Sequence, residues 1–368
     1  MNLETNMREW EKKPLKKRYL DWLILLFFFI NFIFITYIVD IEQLIIKDPT
    51  NFEYPGWPPA FFIDIIHNYA TNIDPLQFAR PVWWKATIWV DVLYFGPYYI
   101  VAMYAFIRGK RWIRIPSFIW SGLMFVNVTV IMSEEFFGPH QANVMWAVVL
   151  LNLPWWSFPF IVTARLWKPY PFHKRKTSIK DSESTQMREK DSGTESLPLL
   201  KRWYDIIFIG WFIINVLFII YVIDLEQIVI NDPYSFEKYP GWPPNFMIDL
   251  IHWWGYNFDP LLMARPVWYK CLIWIDLVLF GPFCIVATYA FIKRKKWIRI
   301  PTIIYAAVMF ENLLIIFFEA FSANYTLYFP WVYIAAYGPY MLMPILLAIR
   351  MIIKPDPFSK GTIFSKNK

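Results

Sequence analysis

The chain has 368 residues and a formal net charge of +7, and 57% of its residues are hydrophobic while only 18% are charged. Soluble domains carry about a quarter of charged residues, so this composition argues against a soluble enzyme or binding module. Only two cysteines are present, Cys271 and Cys284, which excludes a small disulfide-stapled scaffold.

Eight apolar segments follow one another along the chain, each close to the length of about 20 residues that crosses a bilayer as a helix. Most of them lack the polar face of a soluble helix, which favours membrane spans over buried helices of a soluble core. We therefore predict an all-α integral membrane protein. The expected spans are roughly 19–40, 83–107, 113–133, 143–166, 203–224, 268–292, 298–320 and 328–353.

The second half of the chain repeats the first at an offset of about 185 residues. Tyr54-Pro-Gly-Trp-Pro-Pro59 returns as Tyr239-Pro-Gly-Trp-Pro-Pro244, and Ala79-Arg-Pro-Val-Trp83 returns as Ala264-Arg-Pro-Val-Trp268. A repeat of this length is a whole domain in tandem. The sequence thus predicts two parallel four-helix bundles with eight spans in total. The predicted segments are 1–18, a first domain at 19–167, a linker at 168–202, a second domain at 203–353 and a tail at 354–368.

Basic residues cluster before the first span, between the second and third spans of each copy, and after the fourth span. By the positive-inside rule these ends face the cytosol, as do both termini, whereas the acidic loops after the first span of each copy face the lumen or exterior. The clusters adjoin span ends, so membrane topology and lipid headgroups explain them better than nucleic-acid binding. Within the linker 168–202, residues 174–195 include almost no apolar side chains, and we predict that the linker is disordered.

Matched carboxylates in apolar surroundings are the leading candidates for function. Asp91 and Asp276 lie inside the second span of each copy, while Asp40 and Asp224 end the first span on the same side of the membrane. Topology therefore allows Asp40 to approach Asp91, and Asp224 to approach Asp276. Such a pair could clamp a ligand's ammonium group or run acid–base chemistry. A structural carboxylate bonded to a nearby Trp, Tyr or backbone group is the alternative.

Other polar features of the chain are more easily read as structural. In Asp64-Ile-Ile-His67 and its copy Asp249-Leu-Ile-His252, the spacing favours a hydrogen-bonded Asp–His pair within a short helix; metal binding would need more ligands. Glu311 is an intramembrane acid of the second copy alone, because Val126 stands at the matching position.

Prolines inside the spans, as at Pro97 and Pro282, predict helix kinks. Asn324-Tyr-Thr326 is a candidate glycosylation sequon in a short non-cytosolic loop.

Several dispersed motifs of both copies resemble the EXPERA domain family, which includes the sigma-2 receptor, the emopamil-binding protein and the transmembrane 6 superfamily. In the second copy they are Asp259-Pro-Leu-Leu, Pro266-Val-Trp268-Tyr-Lys270, Asp276, Ala287-Thr-Tyr-Ala-Phe291 and Trp297-Ile-Arg-Ile-Pro301. The first copy is similar at Asp74-Pro-Leu76, Trp83, Asp91 and Tyr104-Ala-Phe106. The resemblance covers nearly the whole chain except the termini and the linker. It implies four-helix domains of the endoplasmic reticulum.

The resemblance also implies a ligand site in each copy. The ligand-site acids of the sigma-2 receptor correspond to Asp40, Asp74 and Asp91, and to Asp224, Asp259 and Asp276. Two departures stand out, since the second-span acid is Asp rather than Glu, and Phe95 and Phe280 replace a polar Gln. The expected function is binding of a sterol, a related lipid or a cationic amphiphile, or another hydrophobic small molecule, with no cofactor or metal and a role in lipid homeostasis or trafficking. A sterol double-bond isomerase is an alternative, although the His and Glu pattern of the isomerase is not evident. A sorting or chaperone partner for membrane-protein clients is another, and the tandem copies could mimic a homodimer.

Overall fold

The computed structural model describes residues 10–175, 198–236, 238–322, 327, 329–354 and 356–358. Within these residues, eight helices are long and apolar enough to cross a membrane. Four belong to the first repeat: α1 (Tyr19–Ile45), α4 (Val82–Arg108), α5 (Arg114–Phe137) and α6 (Met145–Leu166). Four belong to the second: α7 (Trp203–Val229), α10 (Val267–Ile292), α11 (Arg299–Ser322) and α12 (Pro330–Ile353). The fold is thus the predicted all-helical membrane protein of two four-span bundles.

Shorter elements complete each repeat. Between the first and second spans lie α2 (Ala60–Asn72) and α3 (Pro75–Ala79) in the first repeat, and α8 (Asn245–Phe258) and α9 (Pro260–Ala264) in the second. Strand β1 (Trp10–Lys12) pairs antiparallel with β2 (His173–Arg175). The segments before α1 and after α6 therefore lie on the same side of the first bundle, as an even number of spans requires.

The first two spans of each repeat are not regular α-helices throughout. They change to the wider π-helical form over Asn31–Asp40 and Asp91–Phe95, and over Asn215–Asp224 and Asp276–Phe280. All four aspartates of the predicted pairs lie at an end of one of these segments. Such segments are rare in helices and are often found at functional sites. Pro97 and Pro282 come just after them, in the first turn of the α-helix that resumes.

The helix ends that carry the basic residues are joined by buried ion pairs. Asp21, fully buried in α1, accepts from Arg18 at 2.6 Å and from Arg165 Nε at 2.6 Å. In the second repeat Asp205 is bonded in the same way by Arg202 and Arg350. Because Arg165 and Arg350 lie near the ends of α6 and α12, each pair ties the last span of a bundle to its first.

The two bundles pack against each other through α4, α5, α10 and α11. Residues at matching positions meet there: the rings of Trp83 and Trp268 stack with centroids 5.8 Å apart, and a Cβ added to Gly122 would lie 2.8 Å from Cβ of Ala307. Contacts between equivalent residues mark a pseudo-two-fold axis. The tryptophan contact lies at the start of the spans, and the Gly122 contact lies well inside α5. Because contacts between equivalent residues occur at two depths, the axis runs along the spans. The repeats are therefore parallel, as the sequence predicts.

Candidate functional site

The first repeat brings Asp40 and Asp91 side by side. Asp40 is 4% exposed and lies next to the Asp91 carboxyl, which also accepts a hydrogen bond from Thr36 Oγ1. Among the described residues, nothing donates to Asp40 Oδ2. Topology alone predicted that these two acids could approach, and the structure places them together.

A glycine makes this approach possible. A Cβ added to Gly96 would lie 2.7 Å from the Tyr37 hydroxyl and 2.9 Å from Cγ2 of Thr36, which is closer than ordinary packing allows. The backbone of α4 thus runs directly against α1 one turn beyond Asp91. Gly281 faces Tyr221 in the second repeat in the same way.

The second repeat holds Asp224 and Asp276 near each other as well, but it orients them differently. Asp224 is 5% exposed, and its Oδ2 has no hydrogen-bond partner in the described part of the chain. Asp276 Oδ1 accepts from Asn312 Nδ2 at 3.1 Å. Ile220 stands where the first repeat has Thr36, so an amide of α11 replaces the hydroxyl of α1 as the donor.

Each acid pair lies in the wall of a cavity inside its own bundle. The first cavity has a volume of about 340 Å³ and the second about 370 Å³, at the small end of the usual range for ligand pockets. Apart from the acids, their walls are mostly aliphatic and aromatic. The first includes Ile35, Ile66, Trp84, Phe95, Met124 and Trp155, and the second Phe218, Ile251, Trp254, Tyr269, Leu313 and Tyr340.

Asp74 belongs to a polar cluster beside the first cavity. Its side chain caps α3 by accepting from Leu76 N at 3.3 Å, and it lies next to the Glu135 carboxyl. Asn152 Nδ2 is 3.3 Å from Glu135 Oε2. Burial raises the pKa of Asp74 to about 6, although the hydrogen bonds around it act in the opposite direction. Glu135 and Asn152 line the cavity, so this cluster adds a third carboxyl to its wall.

Asp259 occupies the matching position in the second repeat with different partners. It caps α9 by accepting from Leu262 N at 3.1 Å, and the Tyr337 hydroxyl donates to its Oδ2. Burial raises the pKa of Asp259 to about 6, and the Tyr337 hydrogen bond opposes that rise. Ala320 and Tyr337 replace Glu135 and Asn152 at the matching positions. The phenol of Tyr337 therefore contacts the capping aspartate in the second repeat, where an acid and an amide lie beside it in the first.

Sequence reasoning missed Glu135, Asn152 and Tyr337 as members of the two sites. A signal was present, because Glu135 is an acid within a span that has no counterpart in the other copy. Glu135 and Asn152 of the first repeat are Ala320 and Tyr337 in the second. These two differences can be connected only when the structure shows that α5 and α6 face each other.

The predicted Asp–His pair is wrong in both repeats. His67 Nε2 lies 2.8 Å from Glu42 Oε1, and Asp64 instead accepts from the Tyr54 hydroxyl at 2.6 Å. Arg80 also bonds Glu42, at 2.8 Å. The imidazole turns away from Asp64 because the buried Glu42, at the end of α1, lies on its other side. In the second repeat His252 pairs with Glu226, and Asp249 with Tyr239.

These contacts dock the extramembrane helices over the bundle cavities. Arg80 Nη1 also donates to the Ile46 carbonyl at 2.7 Å, and Arg265 makes the same set of bonds to Glu226 and Ile230. Ile65 and Ile66 of α2, and Leu250 and Ile251 of α8, consequently line the cavities. Within the described residues no three His, Cys, Asp or Glu side chains meet in a way that could hold a metal ion. The candidate glycosylation site Asn324 lies outside the described residues.

The fold and these cavities define a class: a polytopic membrane protein with one ligand-sized pocket in each of two parallel bundles. Residues 61–166 and 246–351 match the family model described as EXPERA, the expanded EBP superfamily. The two matches together cover more than half of the chain. The protein therefore belongs to the EXPERA family and carries two copies of its domain.

Known relatives agree with this assignment. The sigma intracellular receptor 2 of Homo sapiens is 37% identical over 121 residues, which are 29% of this chain and 69% of that protein. The Macaca fascicularis protein of the same name is 38% identical with the same coverage. The Xenopus tropicalis protein is 35% identical over 127 residues, 32% of this chain and 74% of that protein. No solved structure gave a significant match.

Proposed function

We propose that each repeat binds a sterol or a similar lipid in its bundle cavity, and that the protein acts in lipid homeostasis or trafficking in the endoplasmic reticulum. The observation that carries the proposal is the pair of carboxyls in the wall of each apolar cavity, with Asp40 and Asp91 in one and Asp224 and Asp276 in the other. A cavity with a mainly apolar wall and a few polar groups is typical of a site for a small amphipathic ligand.

The chemistry of the acid pair suits a single polar group on such a ligand. Two adjacent carboxyls in a dry site tend to share a proton, so one can accept while the other donates. A sterol hydroxyl needs one donor and one acceptor, and the unpartnered oxygens of Asp40 and Asp224 offer positions for it. An ammonium group would find the charged member of the pair instead. The family relationship to a protein named as an intracellular receptor also supports ligand binding.

Photolabelling tests this proposal directly. Membranes containing the full-length protein would be irradiated with a photoactivatable sterol, and the labelled peptides identified by mass spectrometry. We expect label on peptides of both bundles. The Asp91→Asn, Asp276→Asn variant should lose about tenfold, because the amides remove the negative charge of each pair and a hydrogen bond to a charged group contributes about 1.5–3 kcal/mol. Asp48→Asn, in an exposed loop, is the matched control. Undiminished labelling of the double variant would rule out the acid-centred sites.

A sterol double-bond isomerase is the second candidate, and the adjacency of Asp40 and Asp91 is the observation that favours it. One carboxyl could protonate an alkene while another group removes a proton elsewhere on the ring. Microsomes containing the protein would be incubated with double-bond-shifted sterols. Product that disappears in the Asp91→Ala, Asp276→Ala variant would favour the enzyme over a binding protein.

A further inference from the structure

A third cavity lies between the two repeats, apart from both bundle cavities. Its volume is about 680 Å³, and its walls come from α4 and α5 of the first repeat and from α11 and α12 of the second. In the described chain its lining is apolar apart from Tyr94 and Glu311. Trp89, Leu93 and Ile349 line it and are 42%, 67% and 46% exposed, so the cavity opens on the lipid-facing surface.

Glu311 is fully buried at the inner wall of this cavity. Neither of its carboxyl oxygens makes a hydrogen bond of good geometry with the residues that the structure describes. Asn127 of the first repeat faces it, and Asn127 Oδ1 is likewise without a donor there. Glu311 lies 12 residues from the start of a 24-residue helix, about 18 Å along α11 at 1.5 Å per residue. The carboxyl therefore lies near the middle of the membrane.

The depth and isolation of Glu311 define the kind of partner that would suit it. An unpartnered polar group in hydrocarbon is unfavourable, and an ionised carboxylate is far more so than a neutral carboxyl. A neutral carboxyl can donate one hydrogen bond and accept another, which is what a hydroxyl group requires. A cationic ligand would have to desolvate its charge at the same depth, and a buried ion pair recovers that cost only with additional hydrogen bonds.

We propose that the cavity between the repeats is a binding site for a neutral apolar molecule that carries a hydroxyl group, held by Glu311. The hydroxyl accepts from the carboxyl OH and donates to the carboxyl oxygen, while the apolar body fills the groove that this cavity forms towards the lipid. Val126 stands at the position that matches Glu311, so this chemistry belongs to one side of the interface. Asn127 also lines the first bundle cavity, but no residue that lines the cavity between the repeats lines either bundle cavity. The proposal therefore does not depend on the proposed function of the bundle cavities.

Site-resolved photolabelling of the full-length protein in membranes would test the proposal. The probes are a diazirine sterol and a diacylglycerol with a diazirine in one acyl chain, which distinguish two sources of the same hydroxyl chemistry. A version of each without the hydroxyl is the matched ligand control. Label on Trp89, Leu93, Phe310 or Leu314, which line this cavity and neither bundle cavity, would report the cavity between the repeats. The variants are Glu311→Val, which introduces the residue found at position 126, and Glu311→Gln, which keeps hydrogen-bonding capacity.

We expect one or both hydroxyl probes to label the groove. The label should fall about fivefold or more in Glu311→Val, as for loss of a buried hydrogen bond, and stay within about twofold in Glu311→Gln. The Asp91→Asn, Asp276→Asn variant should keep its groove label, which separates this site from the bundle cavities. Glu311→Val should melt no lower than the wild type, which checks its fold.

Three results would overturn the proposal. The first is equal groove labelling of Glu311→Val and the wild type. The second is equal labelling by probes with and without the hydroxyl. The third is groove labelling by a long-chain alkylamine that carries a diazirine but no hydroxyl, and by neither hydroxyl probe, with loss in Glu311→Gln, because that pattern would identify a cationic ligand.

Discussion

At the scale of single residues, the matched acids Asp74 and Asp259 have different neighbouring side chains in the two repeats. Asp74 has Glu135 as its neighbour, with Asn152 beyond it, whereas Asp259 has only the phenol of Tyr337 in the same place. The first site thus carries more carboxyls than the second. If both cavities bind lipid, their preferences should therefore differ.

Asp259 should make stability depend on pH. Its folded pKa of about 6 is higher than that of an exposed aspartate, so the folded protein holds the proton more tightly than the unfolded chain. Its contribution is then fully present below about pH 4 and lost as pH rises through about 6. We expect Asp259→Asn to reduce the gain in melting temperature that the wild type shows between pH 7.5 and 5. The measurement is thermal unfolding of purified protein across that range.

Tyr337→Phe is the companion to this prediction. Removing the hydroxyl removes the bond that opposes the rise in the pKa of Asp259, so the pH-dependent window should move upwards. A Tyr337→Phe variant whose profile coincides with that of the wild type would show that the phenol does not govern this carboxyl.

At the scale of elements, the close contact of α1 with α4 is what assembles the acid pair. Gly96→Ala would force its new Cβ against Cγ2 of Thr36, a short branched side chain that also donates to Asp91. Overpacking of this kind costs about 1–3 kcal/mol. The control is Gly210→Ala, since no described atom lies within 4 Å of a Cβ added there and the change should only gain helix propensity. Thermal unfolding should therefore rank Gly96→Ala below Gly210→Ala, and an equal ranking would contradict the close approach.

Much of this element-level organisation could be predicted from the sequence, and the reasons for the remainder are physical. Hydropathy and the internal repeat predict the eight spans and their parallel arrangement, because a span must be apolar along its whole length. The π-helical segments were not predicted: they depend on contacts between α1 and α4, and the sequence expectation was a proline kink at Pro97. The partner of His67 was missed because local spacing favoured Asp64, while the buried Glu42 lies 25 residues away in the chain.

At the scale of the whole molecule, the helices around the pseudo-two-fold axis hold the repeats together. Gly122→Leu would insert a large side chain where Cβ of Ala307 already lies 2.8 Å from the added Cβ, with the Ile304 carbonyl oxygen at 3.1 Å. We expect it to lower stability by about 1–3 kcal/mol and to loosen the contact between bundles. Cysteines introduced at Trp83 and Trp268, in a chain with Cys271 and Cys284 changed to serine, would report that loosening as slower cross-linking by a bifunctional maleimide. Gly210→Leu should leave the cross-linking rate unchanged.

The meeting of Gly122 with its own counterpart, Ala307, has a consequence for how this protein can change. In a dimer of identical chains every substitution is made twice, so an acid near the axis would always arrive with a second acid opposite it. A fused chain escapes that constraint, because each side of the axis is encoded separately. Glu311 opposite Asn127, with Val126 left in place, is an arrangement that only the fused chain can adopt. Because the repeats are joined in one chain, a residue near the axis can be substituted in one repeat while its counterpart in the other repeat stays unchanged.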